Sequence, residues 1–259
     1  MMGNNIVRPD GKHGKRMKKL QKCIQKKNMS LFKILWNNIS LYMDIRKIYL
    51  WNEVHPIELA IIVNSYEIFE YLANQIDIDD MENLKEHSDN IILTDNIMNA
   101  SGTVLIRVKL LLKYVKNLEK IDVSGFSPLY QAVRQYYNFK HQGDLSLKDL
   151  YTEVISTLLD HGADPSQQLR LASGDDFELL DICLARSKFD ISKTALYYSI
   201  QEGNYDFVEH LLKFVDNLDE YTNEEGHTKT FLQYALDNMP RNDDIIELLR
   251  VSDPHPGHA

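Results

Sequence analysis

The two thiols, Cys23 and Cys183, are the side chains of this sequence best suited to covalent chemistry. A thiol with a histidine to take its proton is the minimum for nucleophilic catalysis. Cys183, however, falls on the apolar side of the helical segment FELLDICLAR, Phe177 to Arg186. A free cysteine in such a position acts as a small hydrophobe. Cys23 reads the same way, in line with Leu20 and Ile24. Two cysteines build no disulfide framework and fit a reducing compartment. His255 and His258 have no Cys, Asp or Glu at a ligand spacing beside them. Residues 252–259 are therefore expected to be a disordered tail. The acid pairs Asp79-Asp80, Asp175-Asp176, Glu224-Glu225 and Asp243-Asp244 fall in turns or at helix starts, where a carboxylate favours the helix dipole. There is no glycine-rich phosphate loop and no G-x-S-x-G elbow. No catalytic, cofactor-binding or metal-binding residue is expected, and no cofactor.

The charge is uneven. The 259 residues carry a net charge of −9, which argues against a general nucleic-acid binder. Yet Arg8, Lys12, Lys15, Arg16, Lys18, Lys19, Lys22, Lys26 and Lys27 crowd one end. Residues 1–16 read as a basic tail, and the run as a solvated face, a localisation signal or an electrostatic contact. No stretch approaches the ~20 apolar residues of a membrane span. Val104 to Leu112 comes nearest and is broken by Arg107 and Lys109. No apolar run follows the basic end, so no Sec-type signal is expected.

The elements that must carry these residues are short helices. In Thr194 to Lys213, Leu196, Ser199 and Ile200 share one helix face, and Phe207, Val208, Leu211 and Leu212 share another after Gly203. Neither segment is stable alone, because isolated helices under about 12–15 residues are marginal in water. Each must bury its stripe against the other and against neighbours. The same frame recurs. Leu20, Cys23 and Ile24, then Leu31, Phe32, Ile34 and Leu35, make a basic first unit. Leu59, Ala60 and Ile61, then Ile68, Phe69, Tyr71 and Leu72, make the next, with Pro56 opening its first helix and Asn64 in the left-handed turn. Ile91 to Asn99 and Val104 to Tyr114 form a degenerate copy whose first helix is poorly marked. In another copy Ser127 caps a helix begun by Pro128, and Gly162 ends a later one before Pro165. Thr230, Leu232, Ala235 and Leu236, with Ile245, Ile246, Leu248 and Leu249, close the series.

GFSPLYQA followed by LLDHGADP resembles the ankyrin repeat, a unit of about 33 residues whose pattern is G-x-T-P-L-H-x-A, an apolar helix, then G-A-D. Thr194 to Leu212 resembles it too, with Gly203 and Asn204 at the family's turn. The resemblance implies an all-α ankyrin-repeat solenoid of stacked helix-turn-helix units, six or seven of them across residues 17–251. Several features depart from it. Pro128 to Gly162 spans 34 residues, about 14 more than the family pattern leaves. An insertion near 139–150 must therefore lengthen or separate two helices. FELLDICLAR is expected to supply a first helix with a short or absent second. The family's histidine is replaced by Glu58, Tyr130, Tyr197 and Gln233.

The resemblance also implies a function: a non-catalytic, monomeric adaptor that binds another protein on the exposed face of its first helices. That face maps to Ile62-Val63, Arg134-Gln135, Gln201-Glu202 and Asp237-Asn238. Ile62 and Val63 are apolar where the family is polar, which marks a buried contact. Tyr136, Tyr137 and Phe139 add interface-prone aromatics. A groove around Ile62, Val63, Arg134, Tyr136 and Tyr137 is the expected protein-binding site. Divergent repeats and abundant Asn, Ile, Lys and Tyr resemble ankyrin proteins of intracellular bacteria or large DNA viruses. The implied setting is the cytosol of a host cell, reached by secretion if the source is bacterial. Two rival readings stand: an enzyme with its site in the irregular 140–190 region, built on Cys183, and a nuclear or nucleic-acid-associated regulator using the basic end.

Overall fold

The computed structural model describes residues 11–41, 50, 55–76, 92–98, 100–121, 125–166, 168–169, 176–188, 190–218, 221–222, 226, 228–238 and 243–252. Two compact units are present. The first comprises Met1–Asn99, Ile106–Asn117 and Ile121–Gly125. It holds α1 (Gly11–Gln25), α2 (Met29–Ser40), α3 (Pro56–Ile62), α4 (Tyr66–Ala73), α5 (Ile92–Met98) and most of α6 (Val104–Leu111). The second comprises Ala100–Leu105, Leu118–Lys120 and Phe126–Ala259. It holds α7 (Pro128–Gln142), α8 (Leu145–Asp160), α9 (Phe177–Arg186), α10 (Ser192–Gln201), α11 (Tyr205–Leu211), α12 (Phe231–Asn238) and α13 (Asp243–Ser252). A two-residue hairpin, β1 (Tyr221–Thr222) with β2 (Thr228–Lys229), pairs antiparallel between α11 and α12.

One turn recurs at five helix ends. Lys27, Asn64, Gly143, Gly162 and Gly203 all take positive φ. In each case the next N–H reaches back to the carbonyl five residues earlier: Asn28 to Cys23, Ser65 to Ala60, Asp144 to Phe139, Ala163 to Leu158 and Asn204 to Ser199, at 2.7–3.1 Å. The positive-φ residue itself donates three residues back. Together these bonds satisfy carbonyls that the helix end leaves unpaired. Asn28, Asp144 and Asn204 then cap the following helix, accepting from Leu31, Leu147 and Phe207 N–H. The turn thus ends one helix and starts its partner within two residues, which is what makes the pair a unit.

In the first unit α1 pairs with α2 and α3 with α4, while α1 also packs on α3 and α2 on α4. Met17, Leu20 and Ile24 of α1 are buried, as are Ile57, Ala60 and Ile61 of α3. The second layer buries Phe32, Trp36 and Ile39 of α2 with Ile68, Phe69 and Leu72 of α4. Trp36 Nε1 donates to Gln75 Oε1 at 3.0 Å, and Phe32 meets Tyr71 edge-on, so the two pairs interlock. Three expectations change here. Leu31 and Ile34 are exposed, Ile34 by 60%; the buried stripe of α2 is Phe32, Trp36, Ile39. Gly11 to Arg16, expected in a tail, already belong to α1. The poorly marked helix before Ser101 is real as α5, with Leu93 and Ile97 buried.

In the second unit α10 pairs with α11 and α12 with α13, and α10 packs on α12 as α11 does on α13. The additional residues of 139–150 extend both α7 and α8, which turn at Gly143-Asp144. FELLDICLAR is a helix, α9, but not a first one. It packs on α8, Phe177 lies 4.1 Å from the Phe207 ring, and His210 Nε2 lies 2.7 Å from Asp181 Oδ1. Its neighbours α8 and α11 are both second helices, so α9 occupies that layer. Finally, α10 begins at Ser192, two residues ahead of Thr194.

Candidate protein-binding surfaces

The first helices present their outer residues where their backbones end. In the first unit, His55 caps α3 and Glu58 Oε2 accepts from His55 N–H at 3.0 Å, a reciprocal capping box. Gln233 does the same for α12: its Oε1 accepts from Thr230 N–H while Thr230 Oγ1 accepts from Gln233 N–H. With Ile57, Ala60 and Ile61 turned inward, Ile62 is carried outward and is 52% exposed. Val63, the C-terminal cap of α3, is half-buried beside Asn64. Elsewhere in this unit a cleft of about 410 Å³ opens between Ala73–Ile76 and Lys113–Lys116.

In the second unit Arg134 is exposed on α7, and Gln201 and Glu202 are exposed where α10 ends. Gln201 Nε2 donates to Tyr197 Oη at 2.6 Å. Asp237, where α12 ends, is exposed and paired with Lys229 at 2.6 Å. Tyr137 is half-buried, edge-on to Tyr136 and stacked over His141. Phe139 is also half-buried and stacks on Tyr151 of α8 at 5.5 Å, so it mainly holds the long pair together.

Tyr136 must be removed from the expected surface. It is 0% exposed, because Leu129, Ala132, Val133 and Tyr136 at i, i+3, i+4, i+7 are the core stripe of α7. Its hydroxyl donates to Asp176 Oδ1 at 3.3 Å, and Lys140 Nζ donates to Asp176 Oδ2 at 2.7 Å. Lys148 Nζ donates to Glu178 Oε2 at 2.7 Å. Burial first, then the Asp176 carboxylate, holds the Tyr136 phenol far above its ordinary range. Asp176 also caps α9 through Leu179 N–H. This cluster, built around the buried Tyr136 and Asp176, ties α9 to the long pair.

The sequence reading missed an aromatic cluster. Tyr197 lies 5.1 Å from Tyr221 and 5.0 Å from Tyr234, and Tyr221 stacks on Phe231. Tyr234 Oη donates to the Tyr221 carbonyl. These rings fasten the β1–β2 hairpin to α10 and α12. The visible signal was Tyr197 itself; nothing flagged Tyr221.

The thiol proposed as a nucleophile is not available for that role. Cys183 is 1% exposed, and burial, followed by Asp176, pushes its thiol up to about 12. A thiolate is the reactive form, so this cysteine is inert. Cys23 is also buried, and burial raises its thiol as well. His255, His258, Asp79, Asp80, Asp175, Glu224 and Glu225 lie outside the described residues. Among the described residues no helix is long and apolar enough to cross a membrane.

No family model matches the chain, and no curated protein does. Solved structures do. An ankyrin repeat domain from Acinetobacter baumannii AYE is 17% identical, with 90% of this chain and 97% of that one covered and a TM-score of 0.40. The human ASB11 ankyrin repeat domain is 16% identical over the same shares, with a TM-score of 0.41. This chain is all-α, built of stacked helix pairs, and the solved structures it is similar to are ankyrin repeat domains.

Proposed function

We propose that this chain is a non-catalytic adaptor that binds another protein through the exposed outer residues of its first helices. The observation that carries the reading is Ile62, a large apolar side chain left 52% exposed at the end of a helix whose other apolar residues are buried. Apolar residues standing singly on a surface are common, so the weight lies on its position: the outer end of a first helix, next to the half-buried Val63. Arg134, Gln201 and Glu202 occupy comparable outer positions on α7 and α10, and Tyr137 contributes a half-buried ring at the edge of the α7 surface. The adaptor works as a monomer in the cytosol of a host cell, as a secreted effector; the residue usage and irregular repeats support that setting.

Affinity capture from host lysate, read by mass spectrometry, tests the reading. Ile62→Asp and the pair Arg134→Glu with Tyr137→Ala are each expected to abolish capture of the principal partner while leaving the melting temperature unchanged. Capture that survives Ile62→Asp rejects the first unit's surface, and capture that survives the Arg134 and Tyr137 changes rejects the second unit's.

A further inference from the structure

Residues 11–41 hold nine Lys and Arg and no acid; all 38 Asp and Glu of the chain lie outside that span. Because Met17, Leu20, Cys23 and Ile24 fill the buried side of α1, Lys15, Lys19, Lys22 and Lys26 are carried to the opposite side. They are exposed, and Arg16 and Lys18 flank them. Among the described residues Lys15, Lys19, Lys22 and Lys26 form no ion pair. Like charges three and four residues apart on one helix repel and weaken it. A bound anion removes that penalty, so the ridge is better suited to a complex than to free solution.

We propose that this ridge docks a short, extended, acidic segment of a partner protein. The proposal rests on the adaptor reading and specifies the partner's chemistry. The helix has 15 residues, or ~22 Å at 1.5 Å per residue, a length that about seven extended residues match. Nucleic acid and anionic bilayers carry the same sign of charge but extend far beyond ~22 Å. The chain as a whole carries a net charge of −9, which disfavours the approach of a large polyanion. A short acidic segment ends where the ridge ends. No large apolar side chain of α1 is exposed to enter a bilayer.

Fluorescence anisotropy of a labelled oligoglutamate of about eight residues, titrated with the full chain, tests this, since ion pairing of this kind is salt-dependent. Parallel titrations use a short DNA duplex and phosphatidylserine vesicles. The peptide should bind, and its affinity should fall about tenfold or more between low and high salt. Changing Lys15, Lys19, Lys22 and Lys26 together to Gln should reduce it by at least a similar factor, whereas Lys109→Gln with Lys213→Gln should not. Circular dichroism checks the fold of the fourfold variant; if it unfolds, Lys19→Gln with Lys26→Gln carries the test. Absent peptide binding, binding unchanged in the Gln variants, or tighter binding of duplex or vesicles than of peptide overturns the proposal. Partner capture that depends on Arg134 and Tyr137 is measured separately, so failure of the ridge leaves the adaptor reading standing, and failure of that reading shows in the capture experiment and not in the peptide titration.

Discussion

At the scale of single residues, the turns decide more than the cores. Lys27 stands at φ 54 where three of the equivalent turns use glycine. A side chain in that conformation costs about 1–2 kcal/mol, part of it offset by the unfolded-state entropy that glycine adds. Lys27→Gly is therefore expected to raise stability by about 1 kcal/mol in urea denaturation; a loss would mean that Lys27 makes a stabilising contact. Cys183 gives a pH signature. Its ordinary value near 9.0 rises to about 12 in the fold. Below 9.0 the thiol is protonated in both folded and unfolded chains and its contribution is intact. As pH climbs from there toward 12 only the unfolded chain releases its proton, so stability falls. Cys183→Ala should accordingly lose less stability than the parent between those pH values, and parallel losses would contradict it. Asn64 and Gly203 were legible as turn residues from their types alone. Lys27 was not, because nothing in a lysine signals positive φ. Tyr136 carries two conflicting signals: its spacing from Leu129, Ala132 and Val133 names a core position, its aromatic character an interface, and the spacing prevails.

At the scale of elements, helix pairs with strong periodicity were readable and layer positions were not. Phe207, Val208 and Leu211 were identified from spacing and are fully buried. α9 was found as a helix and assigned to the wrong layer, because an amphipathic stripe says which side is buried and not against what. The Phe177–Phe207 contact supplies what the stripe lacks. Phe207→Ala should cost about 3–5 kcal/mol, and native-state hydrogen exchange should then quicken in α9 as well as in α10 and α11. Quickening confined to α11 would contradict the placement of α9. The extra residues of 139–150 make the complementary point. Helix lengthening was one of two outcomes the count allowed, and Gly143 followed by Asp144, a left-handed stop and a cap, selected it.

At the scale of the whole chain, each unit repeats one rule: first helix on first helix, second on second. α1 and α3 obey it with α2 and α4, and α10 and α12 obey it with α11 and α13. The sequence carried that rule through recurring short helices, none self-sufficient, and its charge carried the separation of a basic beginning from an acidic remainder. The rule leaves the outer residues of the first helices as surface, and the proposed function depends on them. Hydrogen exchange of the chain with and without its captured partner tests this most directly. Protection is expected at the end of α3 around Ile62 and Val63, along α7 at Arg134, and at the end of α10 at Gln201 and Glu202. Protection confined to the second helices α2, α4, α8, α11 and α13 would contradict the account.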